Sequence, residues 1–224
     1  MDSSERQARA RRTSAAWTAP LVYGTIRALV RLLLWPYFRT RTVGREQIPP
    51  DGPVILAPVH RSNLDSLMLS PLMRRPLRAL AKESLFKIRP LAWVIASLGA
   101  FPVHRDTADR ESMRIARELL NDGNLLLVFP EGKRHEGHAI GELFDGTAWL
   151  AARTQSRVVP IGIAGTGDAM PAGARFPRPT RVRMVVGQPL DPPEHGGARS
   201  ALRTWTEGLT DALQAAQDEA VARQ

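Results

Sequence analysis

His60-Arg61-Ser62-Asn63-Leu64-Asp65 follows the apolar run Val54-Ile55-Leu56-Ala57-Pro58-Val59 and precedes Leu67-Met68-Leu69 and Leu72-Met73. The run before it reads as a buried strand and the pattern after it as a helix. On a regular helix, residues five apart lie about 140° from one another. His60 and Asp65 therefore meet only if the chain turns between them. Ser62 and Asn63 are turn and N-cap residues, so a turn is what the local chemistry offers. The expected result is an imidazole at a strand end with a carboxylate folded back onto it.

A carboxylate in that position holds the ring in one tautomer and stabilises the imidazolium once the ring takes a proton. The ring then acts as general base on a hydroxyl. From the hexapeptide alone an ordinary reading stays open: His60 as a strand-end histidine and Asp65 as a helix N-cap.

Outward from this stretch, strands and helices alternate. Residues 78–82 read as a short strand and 90–98 as an apolar helix that Gly99 ends. Residues 101–103 read as a strand leading to Arg105. A helix capped by Asp106 or Thr107 carries Met113, Ala116, Leu119 and Leu120 on one face. Leu125 to Phe129 is wholly apolar and so expected in the middle of a sheet. Further strands are expected at 158–164 and 182–186, with a helix at 147–153. Gly196-Gly197 marks a linker to a terminal helix at about 198–222, with Leu202, Trp205, Leu209 and Leu213 on one side. The fold class expected is α/β: a mixed, mainly parallel sheet flanked by helices.

The N-terminal region differs. Residues 1–45 hold nine arginines against Asp2 and Glu5, a charge of +7 of the chain's +9. Residues 1–16 are polar and basic and read as disordered. Residues 17–38 contain an apolar core from 21 to 34, interrupted by Arg27 and Arg31. That core is shorter than the roughly 20 residues a bilayer crossing needs. With Trp17, Tyr23, Trp35 and Tyr37 near its ends, it reads as an amphipathic helix lying in a membrane surface, ended by Pro36. A helix packed on the domain's own core is the alternative. The division expected is a basic arm and interfacial helix over 1–40, then one catalytic domain over 41–224.

Composition removes several chemistries. The 224 residues include no cysteine, which excludes disulfides, thiolate metal sites and a cysteine acyl-enzyme. There is no G-x-S-x-G, so a serine acyl-enzyme has no support. Gly165-Thr166-Gly167 is not a dinucleotide fingerprint. His135 and His138 lack a third ligand, so no metal is expected. The arm contains no nucleic-acid module, so nucleic acid is not an expected partner. Residues 74–105 carry +6, and such a cluster beside the histidine fits an anionic substrate.

The H-x4-D pattern after an apolar strand resembles the first block of the glycerol-3-phosphate and lysophosphatidic acid acyltransferase family. Three further stretches are similar to its later blocks, in order: Gly99-Ala100-Phe101-Pro102-Val103-His104-Arg105, Phe129-Pro130-Glu131-Gly132-Lys133-Arg134, and Val158-Val159-Pro160-Ile161. Val59, Lys133 and His135 depart from the residues the family often has there. The resemblance spans residues 40 to 190 and implies an acyltransferase domain. It implies His60 as general base and Asp65 as its partner, with Arg105, Arg134 and Lys82 holding a substrate phosphate and Glu131 and Gly132 contacting the acceptor; fixing nearby arginines is the other role open to Glu131. The donor it implies is acyl-CoA or acyl-carrier protein, with no cofactor. The acceptor implied is lysophosphatidic acid or glycerol 3-phosphate, at the cytoplasmic face of the inner membrane. Another lysophospholipid or glycolipid acceptor, a hydrolase, and a non-catalytic lipid- or nucleic-acid-binding module remain as alternatives.

Overall fold

A computed structural model describes residues 3–103, 110–196 and 198–224. Its centre is a seven-stranded sheet in the order β1-β7-β6-β2-β5-β3-β4. The strands are β1 (Arg41–Val43), β2 (Val54–Pro58), β3 (Leu77–Lys82), β4 (Ala100–Val103), β5 (Leu125–Leu127), β6 (Arg157–Ala164) and β7 (Arg183–Val186). Every neighbouring pair is parallel except β6 with β7. The mixed, mainly parallel sheet is the one expected. β2 and β5 are buried along their whole length, and Ile55 sits opposite Leu126 on one side and Val158 on the other. Apolar strands with no polar alternation belong where helices cover both faces.

The helices are α1 (Ser3–Ala15), α2 (Ala19–Leu29), α3 (Trp35–Tyr37), α4 (Asp65–Leu69), α5 (Arg89–Ser97), α6 (Arg110–Asn121), α7 (Gly146–Thr154), α8 (Thr166–Ala169) and α9 (Arg199–Ala222). α6 turns Ile115, Ala116, Leu119 and Leu120 inward. α9 lies on β6 and β7 and buries Leu209, Leu213, Ala216 and Ala220. It sits so close that a Cβ at Gly162 would come within 2.1 Å of the Ala216 carbonyl oxygen. Only glycine allows this approach.

The N-terminal region departs from expectation in three ways. Residues 3–15 form α1 rather than a disordered arm. This helix packs on α5 and β4, buries Ala10, and is tied down by Arg6 Nε to Glu83 Oε1 at 2.6 Å and by an Arg11–Glu118 pair. The helical segment runs one residue past Pro36, to Tyr37. A π-type turn over Val30–Leu34 comes first, in which the Trp35 N–H donates to Val30 O, and α3 continues through the proline. The wider turn removes the close carbonyl that a proline ring would strike. Finally, residue 40 is not a packing boundary, because Val30, Trp35 and Phe38 share one core with the central strands.

Arg27 does not lie on a solvent stripe. Its Nη1 donates to Met73 O at 2.7 Å. Four leucines stand outside α2 and the turn, together with Thr25 and Arg31: Leu21, Leu29, Leu32 and Leu33 are 64%, 49%, 69% and 61% exposed. Among the described residues, no helix is long and apolar enough to cross a membrane.

Candidate active site

The carboxyl ends of β2, β3, β5 and β6 face the same way, and in open α/β sheets that edge collects ligands. At the end of β2 the Val59 N–H still donates to Ile161 O, at 3.0 Å, and the chain then leaves the sheet. Asp65 begins α4 and folds back over the turn. Its Oδ2 lies 3.0 Å from His60 Nδ1 and accepts the backbone N–H groups of Arg61 at 2.7 Å and Ser62 at 2.8 Å. An oxygen already accepting two amides acts as acceptor to the ring as well, so Nδ1 is the donor and Nε2 is left with its lone pair. The ring is stacked on Phe129 with centroids 3.8 Å apart, which fixes its plane. Asp65 is fully buried and His60 is 8% exposed. The turn read from the hexapeptide is therefore present.

Glu131 sits behind this turn rather than in front of it. It is fully buried. Its Oε2 accepts the His60 N–H at 3.0 Å and Arg61 Nη1 at 2.8 Å, and its Oε1 accepts Gly141 N–H at 3.1 Å. With both oxygens occupied by protein, the expected contact between Glu131 and an acceptor is not available. Arg61, which the sequence reading passed over, completes the clamp. Its Nε and Nη2 donate to Gly137 O and Ala139 O, at 2.9 and 3.0 Å. This arginine holds the 131–141 loop against the His60 turn. The two charges stand 70 positions apart, so no local spacing announces the pair. The available hint was a glutamate and an arginine inside blocks that otherwise enter a core.

Gly132 adopts φ +69°, and a Cβ there would strike Phe144 at 2.8 Å. The turn it permits brings Arg134 to the sheet edge that carries His60, where the His135 N–H donates to His60 O at 3.0 Å. Lys82 ends β3 with its side chain exposed. Arg105 lies outside the described residues.

Two cavities meet at His60. One, of about 600 Å³, is mainly apolar; Leu67, Leu77, Leu80, Ile95, Leu98 and Phe129 line it. Lys82 and Arg134 stand on its wall, and Tyr23 contributes a phenol that burial raises above its ordinary pKa of 10.0, keeping it neutral. The other, of about 760 Å³, is polar and holds Gly132, Lys133, Arg134, His135 and Asp168. Both volumes suit a ligand of some size. His60 and Arg134 line both. A third cavity of about 540 Å³, lined by Arg11, Arg78, Glu118 and Asn124, lies toward the opposite sheet edge and carries none of this chemistry.

A buried histidine–carboxylate pair between an apolar and a polar cavity has the parts needed to deprotonate a hydroxyl beside a long apolar substituent. The sequence pattern of the family described as Acyltransferase matches residues 39–164. The chain belongs to that family. Its relatives among the acyltransferases include a 1-acyl-sn-glycerol-3-phosphate acyltransferase of Chlamydomonas reinhardtii, 35% identical over 70% of this chain and 48% of that protein. Another, from Bacillus subtilis, is 22% identical over 77% of this chain and 85% of its own length. The crystal structure of the 1-acyl-sn-glycerophosphate (LPA) acyltransferase PlsC from Thermotoga maritima superposes with a TM-score of 0.74 at 26% identity. That match covers 92% of this chain and 85% of that one. The chain spans about half the length of the algal acyltransferase.

Proposed function

We infer that the protein moves a fatty acyl group from an acyl thioester to the free hydroxyl of lysophosphatidic acid. The observation that carries this is the place of His60: it lines both cavities while Asp65 holds its other nitrogen. The apolar cavity suits an acyl chain. The polar one, with Arg134 at the junction, suits a phosphate headgroup, since a guanidinium grips phosphate oxygens with two donors at once.

In this reading His60 Nε2 takes the proton of the acceptor hydroxyl as its oxygen attacks the thioester carbonyl. The tetrahedral intermediate collapses, the carbon–sulfur bond breaks, and the imidazolium returns the proton to the leaving thiolate. Asp65 stabilises the imidazolium between the two transfers. Arg134 and Lys82 position the acceptor, and Arg105 joins them by resemblance to the family. Glu131 acts through Arg61 and the His60 backbone as a positioning residue. The donor is acyl-CoA or acyl-carrier protein, and the chemistry asks for no cofactor.

The enzyme works at a membrane surface on this account. The leucines on the outside of α2 support it, as do the exposed Ile88 and Trp93 of the adjoining 83–97 segment, beside Lys87 and Arg89. Apolar side chains ringed by cations are suited to the boundary of an anionic bilayer. The inner membrane's cytoplasmic face is the location that fits a cytosolic thioester donor.

The test is incubation with palmitoyl-CoA and a panel of lysophosphatidic acid, glycerol 3-phosphate and other lysolipids, with free thiol and lipid products measured together. Phosphatidic acid formed in step with thiol is expected. Thiol release yielding only free fatty acid identifies a hydrolase, and preference for a lysolipid without a terminal phosphate reassigns the acceptor.

A further inference from the structure

The connection between β6 and β7 ends in an arginine-rich loop. Residues 171–183 hold Arg175, Arg178, Arg181 and Arg183 and no acidic residue. In their midst Phe176 is 81% exposed. The loop holding it is braced. The Arg178 N–H donates to Ala169 O at 2.7 Å, the Ala174 N–H to Pro171 O at 3.1 Å, and Pro177 and Pro179 stiffen the far side. One exposed ring is ordinary by itself; set among arginines on a braced loop, it has the composition of a membrane-interface contact.

Strand register fixes where the loop lies. Ala164, at the end of β6, pairs with Arg183 at the start of β7, and Arg183 pairs with Arg41 at the start of β1. The loop therefore emerges at the sheet edge that carries His60. Its first residues, Pro171 and Ala172, line the polar cavity. On its other side the Tyr37 hydroxyl donates to Pro177 O at 3.2 Å. That contact joins the loop to the end of the helical segment that exposes Leu21, Leu29, Leu32 and Leu33.

The charges fit an anionic partner. Burial and the nearby Arg41 and Arg181 hold the Arg183 guanidinium below its ordinary pKa. Among the described residues, none of Arg41, Arg175, Arg178, Arg181 and Arg183 forms an ion pair. Asp168 is the one carboxylate of the β6–β7 connection, so the arginines outnumber it and favour an anionic surface.

We propose that the 171–181 loop is a second membrane foot. Phe176 enters the interfacial layer of an anionic phospholipid bilayer, and Arg175, Arg178 and Arg181 bind lipid phosphates around it. The foot rests on the membrane-surface reading and extends it. α2 and the 83–97 segment hold the apolar cavity to the bilayer, and the loop holds the mouth of the polar cavity there. A lysolipid then reaches His60 without leaving the interface.

The absence of cysteine makes the test direct. Phe176→Cys, Leu32→Cys and Asp51→Cys are each labelled with a polarity-sensitive fluorophore in the full chain. Each is mixed with phosphatidylcholine vesicles with and without phosphatidylglycerol, some carrying a nitroxide lipid. Asp51 precedes β2, at the opposite sheet edge, and its label is expected to stay in water. The labels at 176 and 32 are expected to shift to the blue and be quenched on anionic vesicles. Replacing Arg175, Arg178 and Arg181 by Gln is expected to weaken binding to those vesicles by about tenfold or more. Insertion at 32 with a water-exposed label at 176 overturns the foot and leaves the membrane reading standing. No insertion at either overturns both. A blue shift at 176 on concentrating the protein without vesicles points to self-association and overturns the proposal.

Discussion

Glu131 Oε2 lies 2.8 Å from Arg61 Nη1 and 3.0 Å from the backbone nitrogen of His60, wholly out of solvent. One carboxylate thus joins the loop after β5 to the turn that carries His60. A buried pair is weak evidence of net stability, but removing one member leaves the other charge buried and unpaired, which costs about 3–5 kcal/mol.

Glu131→Ala is therefore expected to lower the melting temperature by about 6 °C or more, at about 2–4 °C per kcal/mol for a chain of this size. In the fraction that stays folded, kcat falls while the acceptor KM holds, because the lost contact positions His60. A selective rise in acceptor KM with unchanged melting would instead return Glu131 to the substrate. Calorimetry and steady-state kinetics on the same preparation separate the two.

Arg134 is exposed, lines both cavities and has no protein partner assigned to its guanidinium among the described residues. Arg134→Gln is expected to raise the KM for lysophosphatidic acid by roughly 10- to 100-fold, the range of a lost hydrogen bond between charged groups. Arg134→Lys recovers part of this, since a point charge replaces a fork. Lys82→Gln has a smaller effect. An unchanged KM in Arg134→Gln would remove the phosphate from this corner.

α1 is held by charge more than by apolar packing, with Ala10 its buried apolar residue. Hydrogen bonding to Arg11 draws the Glu118 carboxyl below its ordinary 4.5, helped by the neighbouring Arg114. A pKa lowered by the folded contact means that the contact contributes fully above pH 4.5 and is lost as pH falls through the lowered value. Salt screens exposed pairs in the same way. Amide exchange over residues 3–15, corrected for intrinsic rates, is expected to quicken on acidification or at high salt before the sheet opens. Equal protection of α1 and β2 under those conditions would show that apolar packing holds the helix.

The parts of this molecule that were legible in the sequence are those whose physics is local. β2, β5 and β6 are continuous apolar runs, and burial on both faces leaves that mark. The fold-back of Asp65 followed from a spacing that no helix satisfies and two turn residues. α1 was not legible, because its helix carries no apolar stripe and is ordered by carboxylates 77 and 107 positions away. Helix continuation past Pro36 was hidden because it depends on a widened turn, which no residue type marks. Of the two roles open to Glu131, the sequence favours acceptor contact over fixing an arginine, for the reason that hid α1: its partner is distant in sequence, and a glutamate in a site block is chemically credible as a substrate contact.

The central claim is that His60, oriented by Asp65, removes the acceptor's proton. The measurement closest to it is thiol release from palmitoyl-CoA with lysophosphatidic acid by the wild-type, His60→Ala and Asp65→Asn proteins, each checked for an intact melting transition. The account predicts a fall of about 10³-fold or more in kcat for both variants. His60→Ala turning over at a rate near wild type would contradict it.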